Sequence, residues 1–177
     1  VLTTIMNRNR PPSELSLALV ALDWPKAVQL LRSRHAMKLA ARWSILQGFF
    51  EGLKDAHVLP LHQACAVAGV DLTVIQALVE VYPSAVQQAE SSYQRLPLRC
   101  AWRTAADPAV VKALLETERT QLKKRTSWTC LQPDWLQRLP LHYALSNGAH
   151  PETIRLLLQA APQAAAGVDR RGWSPLH

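Results

Sequence analysis

The 177-residue chain has three cysteines, and none stands in a Cys-x-x-Cys arrangement. Cys65, Cys100 and Cys130 are odd in number and far apart. That suits free thiols in a reducing, intracellular compartment, cytoplasmic or nuclear, and not a disulfide scaffold. No apolar run approaches the ~20 residues of a bilayer-spanning helix, so no transmembrane segment is expected. No secretory signal is visible. The glycines number six and form no phosphate-cradling loop, and there is no paired-carboxylate constellation. His62 and Cys65 are spaced like a metal pair on one helix turn, but zinc sites need several close pairs that converge. Neither a metal, a cofactor nor a catalytic set is therefore expected, and the chain reads as a binding protein, not an enzyme.

Apolar residues make up 49% of the chain, a globular composition. Lys and Arg total 20 against 13 Asp and Glu, a net charge of +7. The excess lies at the front: residues 1–54 hold eight basic and three acidic residues, leaving the remainder close to balanced.

One phrase recurs. It is Leu59-Pro60-Leu61-His62-Gln63-Ala64, then Leu96-Pro97-Leu98-Arg99-Cys100-Ala101, then Leu139-Pro140-Leu141-His142-Tyr143-Ala144, with Ser174-Pro175-Leu176-His177 beginning another. The prolines lie 37, 43 and 35 residues apart. A repeat at such a period points to stacked supersecondary units. Each unit reads as two short helices. Pro suits the first helical position, where its missing N–H has no partner in any case. Gly69 and Gly148 lie where a left-handed C-cap ends the first helix, and Asp71 and Asp107 are placed to cap the second. The second helix presents Ile75, Leu78 and Val79, then Val111, Leu114 and Leu115, then Ile154, Leu157 and Leu158. Tyr82-Pro83 and Ala161-Pro162 close it, because the residue before proline avoids the helical region. Ala64, Ala101 and Ala144 share a slot where a small side chain lets neighbouring helices approach. A pair this short cannot bury its own apolar face and must lean on its neighbours.

These copies resemble the ankyrin repeat. Pro60-Leu61-His62-Gln63-Ala64 and Pro140-Leu141-His142-Tyr143-Ala144 match its Pro-Leu-His-x-Ala core, and Asp169-Arg170-Arg171-Gly172-Trp173-Ser174-Pro175-Leu176-His177 matches its turn and next start. The resemblance covers roughly 57–177 well and 13–50 faintly. It implies an all-α, ankyrin-like solenoid in which the histidine ties turn and helix together, and protein–protein recognition on the fingers and the inner side of the first helices. Departures are visible. Leu59, Leu96 and Leu139 replace the family's threonine, removing a capping hydroxyl of about 1 kcal/mol each, and Arg99 replaces a histidine.

The expected organisation is a frayed basic lead at 1–12, with Arg8, Arg10, Pro11 and Pro12. A degenerate first repeat or cap follows at 13–58, then repeats at 59–95, 96–138 and 139–173, and the start of another at 174–177. Starting at Val1 and stopping at His177, the chain is expected to be a fragment. In the first unit, Ser13 opens a helix through Leu15, Leu19 and Leu22, and Asp23 opens a second with Ala27, Val28, Leu30 and Leu31. Residues 36–50, with Met37, Trp43, Leu46 and Phe50, read as an extended or added helix, and Gly52 to Val58 as the first finger. The third unit carries an insertion between Glu116 and Arg138 holding Lys123, Lys124, Arg125, Trp128, Cys130 and Trp135.

Aligning the copies places Gln63, Cys100 and Tyr143 in one inner row, Ala66, Arg103 and Ser146 in another, and Val58, Arg95, Arg138 and Trp173 at the finger. Tyr, Trp and Arg are the usual interface anchors. Gln63, Arg95, Arg103, Arg138, Tyr143 and Trp173 are therefore the candidate partner-binding residues, for an acidic or aromatic-bearing protein. Two rival readings are nucleic-acid or anionic-lipid binding by a basic front end with Arg32, Arg34, Lys38 and Arg42, and a regulatory segment of a larger protein.

Overall fold

The computed structural model describes residues 11–47, 49, 55–102, 107–120 and 128–177. It is mostly helical, with one small two-stranded sheet. Helices α1 (Glu14–Val20) and α2 (Trp24–Leu31) form a first pair, followed by a short α3 (Ala36–Ala40) and strands β1 (Ser44–Gln47) and β2 (Asp55–Val58). Three further pairs are α4 (Pro60–Cys65) with α5 (Leu72–Val81), α6 (Pro97–Ala101) with α7 (Pro108–Thr120), and α8 (Pro140–Ser146) with α9 (Pro151–Ala160).

The helix boundaries follow local chemistry. Asp23, Asp71 and Asp107 accept backbone N–H groups from Lys26, Thr73 and Ala109 at 3.1, 2.9 and 2.7 Å, as N-caps do. For α9 the cap is His150, whose Nδ1 accepts from Glu152 at 3.2 Å. Gly148 takes φ +63°, and Ala149 N–H reaches back to Ala144 O at 2.8 Å, closing α8 with a Schellman turn. Gly69 is also left-handed. Helices α5 and α9 stop before Pro83 and Pro162, which open 3-10 turns.

The pairs pack in chain order. α1 lies on α4 and α4 on α6; α2 lies on α5, α5 on α7 and α7 on α9. The core runs through the whole row: Leu78, Leu114 and Leu157 belong to one buried cluster, each at most 3% exposed. Burying a leucine contributes about 2 kcal/mol. Ala64, Ala101 and Ala144 are buried in it too, as are all three free cysteines. Ile154 and Leu158 are half-buried on α9. Leu59, Leu96 and Leu139, in place of a capping hydroxyl, add apolar surface to the interior.

Three expectations for the first unit change. Of residues 36–50 only Ala36–Ala40 forms the added helix, α3; beyond it Ser44–Gln47 pairs antiparallel with Asp55–Val58, Ser44 opposite Val58 and Gln47 opposite Asp55. The alternate residues Ala56 and Val58 face inward and Asp55 and His57 outward, the period of a strand. The first finger is thus a strand end, of which 52–54 lie outside the described residues, as do Phe50 and the lead's Arg8 and Arg10. Leu22 is not on the buried face of α1. It is 53% exposed at φ +58°. Leu22 N–H bonds Leu19 O and Asp23 N–H bonds Ala18 O, so Leu22 occupies the slot that Gly148 fills in the fourth pair.

In the insertion, Thr129 and Cys130 are buried while Trp128 and Trp135 stay exposed. The Glu118 carboxylate, buried at the end of α7, accepts from Thr129 N–H at 3.1 Å, Thr129 hydroxyl at 2.8 Å and Gln87 Nε2 at 3.2 Å. Folding back is done by Thr129 and Cys130, not by the tryptophans. Lys123, Lys124 and Arg125 lie outside the described residues.

Candidate functional site

Three turns, ahead of Pro97, Pro140 and Pro175, share one hydrogen-bond plan. Asp134 N–H donates to Arg138 O at 3.1 Å, and its carboxylate accepts from Leu136 and Arg138 N–H at 2.8 and 3.0 Å. Asp169 N–H donates to Trp173 O at 2.9 Å, and its carboxylate accepts from Arg171 and Trp173 N–H at 2.8 and 3.1 Å. Glu90 repeats this with Arg95 in a turn one residue longer, its extra methylene reaching Tyr93 and Arg95 N–H at 2.8 and 3.0 Å. The residue before the close is left-handed each time: Gln94 at φ +56°, Gln137 at +60°, Gly172 at +77°.

This plan puts Arg95, Arg138 and Trp173 in one structural slot. Their backbone carbonyls close the three turns in the same way. Val58, aligned with them in the sequence, is instead buried at the end of β2.

Histidines two residues after Pro60, Pro140 and Pro175 brace the turns. Leu59 N–H donates to His62 Nδ1 at 3.2 Å, Leu139 N–H to His142 Nδ1 at 3.0 Å, and Ser174 N–H to His177 Nδ1 at 3.1 Å. His142 Nε2 also meets Trp173 O at 3.0 Å, binding one unit to the next. His62 is wholly buried, and its Nε2 faces the backbone of Gln88 and Arg95 without closing a well-formed bond. Burial lowers its pKa to about 4, with the Glu90 charge acting in the opposite sense. His62 is therefore a neutral structural group at physiological pH.

Position 99 breaks the pattern. Arginine has no acceptor and cannot receive the Leu96 N–H. Its guanidinium lies instead on the Tyr143 ring, 3.1 Å from the centroid, with Arg138 5.7 Å from the same centroid. Tyr143 donates its hydroxyl to Asp134 Oδ2 at 2.5 Å. Burial is the largest influence raising the phenol's pKa, followed by that bond, so it remains a donor. Arg138 Nε meets Asp169 Oδ2 at 3.2 Å. Burial alone would raise the Asp169 carboxyl. The Trp173 and Arg171 N–H groups and the Arg138 guanidinium together hold it below the usual range. Arg95, Arg99 and Arg138 line one narrow cleft with Gln94 and Asp134. Beside it, Trp135 and Trp173 are about half exposed, with Arg170 and Arg171 at 5.6 Å from their ring centroids.

The structure thus gathers Arg95, Arg138, Tyr143 and Trp173 on one turn face. Gln63 is a correction: it is 4% exposed and bonded to Ser16 Oγ at 3.0 Å, tying α4 to α1, so it presents nothing to a partner. Its row-mate Cys100 is buried as well. Arg103 lies outside the described residues. Three contributors were not among the candidate binding residues: Arg99, noted only as a departure from the repeat, Trp135, noted only in the insertion, and Asp134. Their signal was there, in the loss of histidine at 99 and in an acid five residues before both Leu139 and Ser174.

Elsewhere, Arg32, Arg34 and Lys38 are exposed near α3, while Arg42 reaches Pro11 O at 2.7 Å. A groove of about 390 Å³ between α7 and α9 is rimmed by mixed charges, with Lys112 beside Glu116 and Arg155 beside Glu152. Among the described residues no group of three or more His, Cys, Asp or Glu side chains is placed to hold a metal, and no helix is long and apolar enough to cross a membrane. No protein-family model matches the chain, and no curated protein does.

Proposed function

We propose that the chain is an ankyrin-like solenoid whose turn face recognises an acidic protein partner by binding alone, without turnover. The observation that carries this reading is the aligned row Arg95, Arg138 and Trp173, with Trp135 beside it. The carboxylates at the three turns are occupied by backbone N–H groups, and two of them also by Tyr143 or Arg138. Arg170 and Arg171 are exposed beside Trp135 and Trp173, which makes the face cationic there. The two tryptophans are half-exposed and of the residue type that most often anchors interfaces.

The test replaces the tryptophans, whose rings support no described hydrogen bond. W135A/W173A should keep the helical circular-dichroism signal and lose its specific partners at least about tenfold in quantitative affinity capture, as loss of an anchor residue implies. Recovery of the same proteins in the same amounts would place recognition elsewhere.

A second reading, nucleic-acid or anionic-lipid binding at the front end, is favoured by the exposure of Arg32, Arg34 and Lys38. It requires affinity for duplex DNA or anionic vesicles that falls steeply with salt.

A further inference from the structure

We infer that the outer edge of strand β1 is a docking site for an extended, acidic segment of a protein partner, added to the sheet as a third strand through main-chain hydrogen bonds. The site is separate from the row Arg95, Arg138 and Trp173, so either reading can fail without the other.

Register decides which groups face outward. In an antiparallel pair, opposed residues alternate between exchanging both hydrogen bonds and exchanging none. His57 gives its N–H to Ser91 Oγ at 3.0 Å and accepts Ser91 N–H on its carbonyl at 3.4 Å. Both of its backbone groups are therefore turned away from β1, and the opposed pair Ile45 and His57 exchanges none. Ile45 N–H and C=O consequently point to the other side, away from β2, and neither has a hydrogen-bond partner among the described residues. Among the described elements, β2 is the one that β1 packs on closely. Sheet edges are commonly blunted by charged residues, proline or a bulge. Ser44-Ile45-Leu46-Gln47 carries no charge and no proline, and its register is unbroken.

The fold already uses this mode on the opposite edge. Ser91 belongs to the turn of the next unit and closes β2 at both backbone groups of His57. Further along the row, Arg170 N–H donates to Leu136 O at 3.1 Å, joining turn to turn sideways. At β1 this lateral pairing stops with one donor and one acceptor unused. An extended peptide meets both of them. A phosphodiester has no donor, so it would leave the carbonyl unmatched. Charge selects among peptides. Arg42 lies two residues ahead of β1, Lys38 is exposed on α3, and Arg32 and Arg34 are exposed just before it. None of the four meets a carboxylate at ion-pair distance among the described residues. Asp55, at the far end of β2, is the acid within the sheet. A second copy of this chain would bring the same cations to the edge, whereas an acidic segment neutralises them. Trp43, at the head of β1 and 36% exposed, offers an apolar contact beside it.

The probe is a capped peptide of alternating valine and glutamate, with a valine–lysine counterpart and a version N-methylated on the residues that face β1. At saturation the glutamate peptide should slow amide hydrogen exchange at Ile45 by at least about tenfold, as a new main-chain bond implies. The lysine peptide should bind more weakly, and the N-methylated one should leave Ile45 unprotected. I45P should weaken binding by at least about tenfold, the effect of one lost hydrogen bond with its partner left unmade. That variant should fold, because proline is tolerated on an edge where the lost N–H faced outward. The N-methylated peptide, used on the unaltered chain, keeps the test available if I45P does not fold. W135A/W173A should bind the peptide unchanged, which keeps this site apart from the turn face. No saturable binding of the glutamate peptide, or equal binding of the N-methylated or the lysine peptide, overturns the proposal. Binding of duplex DNA in place of the peptide, undiminished in I45P, overturns it in favour of a phosphate-binding surface.

Discussion

His62 makes the fold sensitive to mild acid. The side chain is fully buried, and burial holds its pKa near 4 against an ordinary 6.5. Between those values the unfolded chain binds a proton that the folded chain refuses, so stability rises with pH in that window. The contribution is whole above about pH 6.5, declines as pH falls, and is gone below about pH 4. The span corresponds to about 3 kcal/mol at 1.36 kcal/mol per pH unit, a large share of the 5–15 kcal/mol typical of a domain. H62Q keeps an acceptor within reach of Leu59 N–H and removes the titration. Urea midpoints of both proteins measured across this range should show a steep acid decline in wild type and a shallower one in H62Q, converging at the acid end. Parallel curves would mean that His62 is reached by water and that the packing described around it is wrong.

Two further outcomes can be checked in the same assay. L22G removes a leucine from a left-handed position costing roughly 1–2 kcal/mol; part of that returns as chain entropy, so the variant should be more stable by about 0.5–1 kcal/mol. A64L places extra methylenes where Ala64 is fully buried between neighbouring helices, and should lower stability by about 1–3 kcal/mol; a neutral result would show that α4 is not in close contact there.

The helix pairs were legible because their cues are local and repeated. Pro60, Pro97 and Pro140 start helices, Gly69 and Gly148 end them, and the spacing of Leu78, Leu114 and Leu157 marks one buried side. The first unit was harder to read. Ser44-Ile45-Leu46-Gln47 is too short a run to separate strand from helix by periodicity, and its pairing partner was fixed only by register with Asp55–Val58. Leu22 carries no left-handed signature because leucine rarely adopts that conformation; the Schellman bonds from Leu22 and Asp23 impose it. At the turn face, alignment found Arg95, Arg138 and Trp173 because the slot is a backbone property. It misplaced Gln63, since alignment gives a residue's row and not whether a neighbour such as Ser16 covers it. Arg99 was seen as a departure from the repeat, but its resting place on Tyr143 depends on a side chain 44 positions away.

The order in which the helix pairs meet has a kinetic consequence. α4 touches α1 and α6, and α5 touches α2 and α7, so the main packing joins segments one repeat length apart and none spans the whole chain. Closing such loops is entropically mild, and topologies of this kind tend to fold quickly. A seed formed by the two central pairs could grow in either direction, with each added pair zipping onto an edge already laid down. Stop-flow traces for a variant weakened at one end should then keep the early phase and lose only a later one.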